Sequence, residues 1–285
     1  MIGRRSGHFQ DLFLVSPFFG EKGEEFTGKV RVFVSAKTYE ADCRVYTRTY
    51  ATEVQPLTST VAATSFNNRA TTNPNEQVAN HSSSLIPDKW VLSLTREFNF
   101  IDRAPTRITA VFRAQTGHAY SWVYLNDANG DGTAGNDAFY MPSSPDDPIV
   151  TWASPAQRDA FFAFAQNSDL KNYAGRIVPP NRSHNPWQKT LDLHIEQELP
   201  MYRSTRVLLF ADCLNFANLF KKSWGIAEGL DFAAAYPGYN RPVVSAALNG
   251  TGQYVYSFGS NTLAGQPVFT DLSRWQIQVG VKFVF

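Results

Sequence analysis

The sequence predicts an all-β fold: a partial antiparallel transmembrane β-barrel of about ten strands, with long loops and one short loop helix. Three observations carry this prediction. Apolar and polar residues alternate with period two, and the clearest runs extend over roughly nine to eleven residues, the length of a bilayer-crossing strand rather than of a soluble one. Charged residues form only 18% of the 285 positions while aromatic residues reach 14%, against about 25% charged in ordinary soluble domains. No stretch approaches the roughly 20 uninterrupted apolar residues of a spanning helix, so any membrane crossing is made by strands.

Lys+Arg 26 against Asp+Glu 25 leaves a net charge of +1, and no block of like charge stands out, so the chain carries no electrostatic footprint for nucleic acid. Cys43 and Cys213 lie far apart and outside any CxxC or Cys/His cluster, and read as small apolar strand residues. Arg4 and Arg5 precede an apolar run over 12–19, but Asp11 opens that run and Pro17 breaks it. No small-residue cleavage site follows, so no signal peptide is read.

Taken in order, Val30, Val32, Val34 and Ala36 alternate with Lys29, Arg31, Ser35 and Lys37, and Arg44–Tyr50 interleaves Arg and Tyr with Val45, Thr47 and Thr49; both segments read as half-buried strands. Residues 51–88 are rich in Thr, Ser, Asn and Ala without period, which predicts a long exposed loop. Trp90, Leu92, Leu94, Phe98 and Phe100 then occupy one face of a strand, interrupted only by Arg96, with Val91, Ser93, Thr95, Glu97 and Asn99 opposite. After the turn IDRAP, Ile108, Ala110, Phe112 and Ala114 alternate with Arg107, Thr109, Arg113 and Gln115, completing a long hairpin. Ser154, Pro155 and Gln157 supply an N-cap, an N1 proline and a capping-box residue for a helix over 155–167.

Strands resume with Leu191, Leu193, Ile195 and Leu199 on one face and Asp192, His194, Glu196 and Glu198 on the other. So charged a face suits a water-filled lumen, and these four residues are the lumen-lining candidates. The segment 207–216 is apolar on both faces apart from Asp212 and Asn215, so the face carrying Leu208, Phe210, Leu214 and Phe216 needs something to pack against. Weaker strands are read near 241–248 and 253–258. Trp275, Ile277, Val279, Val281, Phe283 and Phe285 finally alternate with Arg274, Gln276, Gln278, Gly280, Lys282 and Val284, predicting a strand whose first set faces lipid.

That last strand, ending on Phe285, is similar to the signal that bacterial outer-membrane barrels present to their assembly machinery. The stretch QTGHAYSWVYLNDANGDGTAGNDAFYMPSSPDD resembles the G-x-P/A-Y-S…D-x-N-G-D-G…N-D…Y-x-P segment of Oar-like TonB-dependent receptors, whose N-terminal part carries a carboxypeptidase-regulatory-like domain. The resemblance continues in order through YAGRIVPPNRSHNPWQKTLDLHIEQELP, VLLFADCLNFANLFKKSWG and SRWQIQVGVKFVF. It implies that residues 29–285 are the C-terminal part of such a receptor's barrel in the outer membrane of a Gram-negative bacterium, with residues 1–28 unassigned. It also implies a ligand-uptake scaffold with no catalysis, whose regulatory domain, plug, TonB box and earlier strands are missing. The implied partners are outer-membrane lipid, the barrel-assembly machinery, the missing plug and strands, and the TonB complex only through that plug; the ligand stays open. Because a complete barrel of this class has about 22 strands, the expectation is an open curved sheet with edges near 29–37 and 274–285.

Two rivals stand beside this reading: a self-contained small outer-membrane barrel or adhesin, and a soluble β-sandwich binding module. Asp127, Asn129, Asp131 and Gly132 have the D-x-N-x-D-G spacing of a calcium loop, but Ala138 stands where the bidentate Glu belongs. The spacing reads first as an Asx-turn loop, with calcium held by Asp127, Asn129, Asp131 and Asp137 as the alternative and no other cofactor expected. His8, His81, His118, His184 and His194 are scattered, and Ser183, His184 and Asp192 lack a nucleophile elbow. The aromatic groups Tyr120, Trp122, Tyr124 and Phe216, Phe220, Trp224 read as an interface girdle or loop packing ahead of ligand stacking.

Overall fold

The computed structural model describes residues 12–19, 25–37, 40–54, 61–199, 206–229, 240–259 and 268–284, with the backbone alone up to residue 41 and at 63–64. His8 and Phe285 lie outside the described residues. In chain order the elements are β1 (Leu12–Phe19), β2 (Glu25–Lys37), β3 (Glu40–Glu53), α1 (Ala62–Asn67), β4 (Asn80–His81), β5 (Asp88–Ile101), β6 (Ala104–Gln115) and β7 (Ala119–Tyr124). There follow β8 (Tyr140–Met141), β9 (Val150–Trp152), α2 (Pro155–Gln166), a 3-10 turn (Asp169–Tyr173), β10 (Arg176–Ile177), β11 (Ser183–His184), β12 (Gln188–Leu199) and β13 (Arg206–Leu214). The last are α3 (Phe216–Phe220), β14 (Asn240–Leu248), β15 (Tyr254–Ser257) and β16 (Gln276–Val284). Among the described residues no helix is long and apolar enough to cross a membrane.

The chain is mostly β and its main sheet is antiparallel and curled. Its strands run β1-β2-β3-β5-β6-β12-β13-β16, with β4 paired to β3. No ladder joins β1 to β16 among the described residues, so the sheet has two edges. One edge is β16, as expected, but the other is not 29–37. Leu12 to Phe19 pair with Val32 to Glu25, and this added strand takes up hydrogen-bonding groups that an edge at 29–37 would leave open.

Register fixes the faces. Leu92 pairs with Phe112, Leu94 with Ala110, Leu193 with Ala110 and Cys213, Ala211 with Val279, and Leu209 with Val281. Directly opposed residues share a face, so β5, β6, β12, β13 and β16 build one contiguous apolar surface. Trp90, Leu92, Leu94, Phe98, Phe100, Phe112, Ile195, Leu209 and the whole set Trp275, Ile277, Val279, Val281 and Phe283 are exposed on it, Phe100 at 72% and Val279 at 75%. The surface ends at β3, where Asp42 opposes Leu94, Arg44 opposes Leu92 and Tyr46 opposes Trp90.

The opposite face is mostly polar, with Val45, Val91 and Val111 among its charged and hydroxyl side chains and an apolar patch on β13. Leu208 is buried there, at 8% exposure, and the Phe210 ring lies over Gly280 of the neighbouring strand, where an added Cβ would overlap the ring. Part of the apolar face that seemed to require an external neighbour is therefore covered by the sheet itself.

The second unit is a five-stranded mixed sheet, β11-β7-β14-β15-β9, in which β7 with β14 and β15 with β9 are parallel. Residues 241–248 and 253–258 thus form strands as expected, but in this sheet rather than the main one. Its core is Trp122, Phe139, Phe161, Leu170, Val178, Val243, Val244 and Tyr256, all below 2% exposure. Each such side chain contributes about 1.5–3 kcal/mol by leaving water. Tyr120, Trp122 and Tyr124 belong to this core, so the girdle reading fails for them and loop packing holds. Helix α2 docks through Phe161 and Ala165. Ser154 caps it by accepting from Gln157 N at 3.3 Å, but the Gln157 side chain accepts from Phe258 N at 3.0 Å, tying the helix to the end of β15.

Among the described residues, the segment 61–88 is an exposed loop only in part, chiefly over 72–79. It contains α1 and β4, and Ser65, Asn68, Arg69, Thr71, Ser82, Ser83 and Leu85 are buried. Its polar groups find partners: Glu53 accepts from Ser82 Oγ at 2.8 Å and Ser83 N at 2.7 Å, and Thr71 exchanges backbone bonds with Asn136 and Ala138 at 2.9 Å. Periodicity cannot register burial of this kind, because it detects only apolar faces.

Gly280→Ala is expected to destabilise the sheet by about 1–3 kcal/mol through overpacking against Phe210. Phe210→Ala in the same chain should recover part of that loss, as read from urea unfolding of the two variants and their double mutant.

Candidate functional site

Two clusters of polar side chains bear on function. The first lines the polar face of the main sheet. Arg107 bridges Glu97 at 3.0 Å and Glu196 at 3.2 Å, Arg113 pairs with Asp192, His194 Nδ1 lies 2.6 Å from Asp212, and Arg206 stands 3.9 Å from Glu198. All four lumen-lining candidates, Asp192, His194, Glu196 and Glu198, therefore share this face, each beside a partner on β6 or β13. The glutamates and Asp192 are mostly covered while their arginine partners remain half exposed. Such cross-strand pairs fix register and keep the face hydrated, and each contributes little stability on its own.

Ser183 donates to Asp169, which also accepts from Trp122 Nε1 at 3.1 Å. Asp192 is held by Arg113 and by Asn215 N at 2.8 Å. Ser183 and Asp192 are thus held by different partners.

The second cluster is the loop after β7. Asp127 accepts from Gly130 N at 2.7 Å and Asp131 N at 3.2 Å with one oxygen, and from Gly132 N at 2.8 Å with the other. Asn129 Oδ1 accepts from Asp131 N, and Asp131 Oδ1 from Thr133 N, both at 2.8 Å. Gly130 and Gly132 have φ of 79° and 88°, a left-handed backbone that strains other residues. Asp137 closes the loop, its Oδ2 accepting from Ala128 N at 2.6 Å and Asn129 N at 3.3 Å. The structure brings Asp127, Asn129, Asp131 and Asp137 together, but most of their oxygens meet backbone amides, the bonding of a nested Asx-turn. Among the described residues no group of three His, Cys, Asp or Glu is placed to hold a metal.

Asp137 is 3% exposed, and burial pushes its carboxyl up to about 6, against the pull of the Ala128 and Asn129 amides and helped by Asp131 and Asp127. Its residue type and place in the motif made it legible in the sequence. The partners of Asp192 and Glu196 were less so, because 79 and 89 residues separate them from Arg113 and Arg107.

On the outer side, Phe216 and Phe220 meet edge to face at 4.9 Å. Phe220 and Trp224 remain exposed, with Lys221 5.6 Å from the Trp224 ring. No family model matches the chain, and no curated protein or solved structure matches it.

The Asp137 carboxyl titrates higher in the folded loop than its ordinary 3.8, so the folded form binds the extra proton. Its stabilising contribution is complete below about 4 and is lost as pH rises through about 6. Amide exchange in 127–133, corrected for its intrinsic rate, should show greater protection at pH 5 than at pH 7, and Asp137→Asn should remove the difference. Protection that grows toward pH 7 would contradict the assignment.

Proposed function

We propose that the chain is the C-terminal part of an outer-membrane β-barrel receptor of the TonB-dependent, Oar-like type, in which it serves as scaffold and conduit for ligand uptake rather than as an enzyme. One observation carries the reading: a contiguous exposed apolar surface over five long antiparallel strands, backed by an ion-paired polar face. Aromatic residues mark both ends of that surface, Trp90, Trp187 and Trp275 at the loop end and Phe98, Phe100 and Phe283 at the turn end. From Trp90 to Phe100 a strand rises about 34 Å, or about 26 Å across a bilayer at the usual tilt near 40°, close to the height of an outer-membrane apolar band.

In this reading Asp192, His194, Glu196 and Glu198 line the water-filled interior, and Ile277, Val279, Val281 and Phe283 meet lipid. The open edges of β1 and β16 pair with strands of the rest of the receptor, since unpaired backbone groups are costly in hydrocarbon. Energy from the TonB complex would arrive only through the plug. The mixed sheet beyond the loop end is the part that meets ligand.

A second reading, a soluble β-sandwich module, gains from β3, whose Arg44 and Arg48 side chains are exposed beside the apolar surface. There the surface would be covered by another sheet instead of lipid.

Val279→Arg discriminates the two. In the barrel reading it should lower folding stability in lipid by about 2–4 kcal/mol if Val279 lies near the midplane, and the parent chain should need detergent and migrate differently when unheated. A parent chain that is soluble and monodisperse without detergent would favour the sandwich.

A further inference from the structure

At the loop end of the main sheet, the polar face and the segment 225–227 border a cavity of about 220 Å³. Lys89 pairs with Gln115, Gln115 with Gln188, and Arg113 with Thr190. Directly opposed residues share a face, so these five side chains stand in two adjacent rows where the ion-paired face ends. Ile226 and Leu272 supply apolar wall. That wall is tied in place, since Ala227 N donates to Ser273 Oγ at 3.0 Å, Ala227 O accepts from Phe269 N at 2.9 Å, and Gly225 O accepts from Asn215 Nδ2 at 2.9 Å. Asn215 N in turn donates to Asp192, the carboxylate that also holds Arg113.

The charged residues of the lining are Lys89, Arg113 and Lys189, with no Asp, Glu or His among them. Lys189 opposes Ala114 and so alternates to the apolar face, which leaves Lys89 and Arg113 as the cavity's own cations. Asp192 engages one nitrogen of Arg113, and a guanidinium has five N–H donors. Lys89 forms no ion pair among the described residues, because its neighbour Asp88 is turned to Tyr46 and Arg48. The site thus presents one uncompensated positive charge beside two amides and a hydroxyl. Solvent reaches these groups: Lys89 is exposed, the Arg113 side chain is 52% exposed, and Gln115, Gln188 and Thr190 are half-buried.

We infer that this cavity binds a small hydroxylated carboxylate of the size of a single sugar acid, with Lys89 and the remaining Arg113 donors on the carboxylate and Gln115, Gln188 and Thr190 on the hydroxyls. A single negative charge matches the single uncompensated cation, and glutamine amides both donate and accept, as hydroxyl groups require. No aromatic ring lines the cavity, so a flat aromatic acid finds no ring to stack on. The volume lies below the roughly 300–1,000 Å³ of drug-sized sites, which suits one compact polar molecule. The polar face meets water whether lipid or a second sheet covers the other face, so the inference does not rest on the membrane reading.

The test is calorimetric titration of the full folded chain, at fixed ionic strength, with sodium D-glucuronate, D-glucose and sodium phosphate. Saturable binding of glucuronate is expected, with glucose weaker by about tenfold or more, the worth of a hydrogen bond to a charged group. Lys89→Gln should weaken glucuronate by a similar factor and Lys89→Glu should abolish its binding, while Lys282→Glu, elsewhere on the same polar face, should leave it unchanged. Gln188→Leu, which keeps both cations, should weaken glucuronate and glucose alike. Equal binding of glucose and glucuronate, displacement of glucuronate by an equal concentration of phosphate, equal losses from Lys282→Glu and Lys89→Glu, or no saturable binding would each overturn the inference.

Discussion

Everything about the surfaces of this protein depends on the register of its long antiparallel strands. Side chains alternate with a period of two, so a slip of one residue between β6 and β12 would set Arg107 opposite Ile195 or Gln197 and Arg113 opposite Lys189 or Leu191, taking both off the face that carries Glu196 and Asp192. The apolar surface and the ion-paired face exist only because Ile108 opposes Ile195 while Arg107 opposes Glu196. The salt bridges are individually weak, but each is available in one register alone, so together they select it. Gly280 acts at the edge of the same sheet, where its missing side chain lets Phe210 lie flat across the last ladder.

The mixed sheet solves a different problem. Long connections between the strands of the main sheet would leave many backbone groups without partners, and here they are folded into a unit with its own core. Polar residues act as its joints. Asp169 ties the 3-10 turn to Trp122 on β7 and Ser183 on β11, Gln157 ties α2 to Phe258, and Asn126 exchanges bonds of 2.8 Å with Ala246 on β14. Buried polar groups of this kind are favourable because they are satisfied. Asp137 Oδ1 and both side-chain polar atoms of the neighbouring Asn136 depart from that rule.

Strand alternation was legible wherever one face of a strand is uniformly apolar. Residues 90–100, 108–114 and 276–283 therefore lie in strands as their alternation indicates, and the N-cap and first proline of α2, whose signals are local, stand where the sequence put them. The misreadings share a cause. Tyr120, Trp122 and Tyr124 suggested an interface girdle as well as loop packing, yet the residues between them are buried too, because β7 is interior to the mixed sheet. Residues 51–88 look like a solvated loop, yet Glu53, Thr71 and Ser82 gain partners through pairings that no local window contains.

The sequence by itself determined the β class, the two chemistries of the long strands and the tight turn of the loop at Asp127, because each follows from contacts within a few residues. Tertiary structure alone decided which strands are neighbours, where the sheet has its edges, and that the loop segments form a second sheet. Those outcomes depend on closing long stretches of chain, whose entropic cost is offset only when many distant contacts form together, and no single segment records that sum.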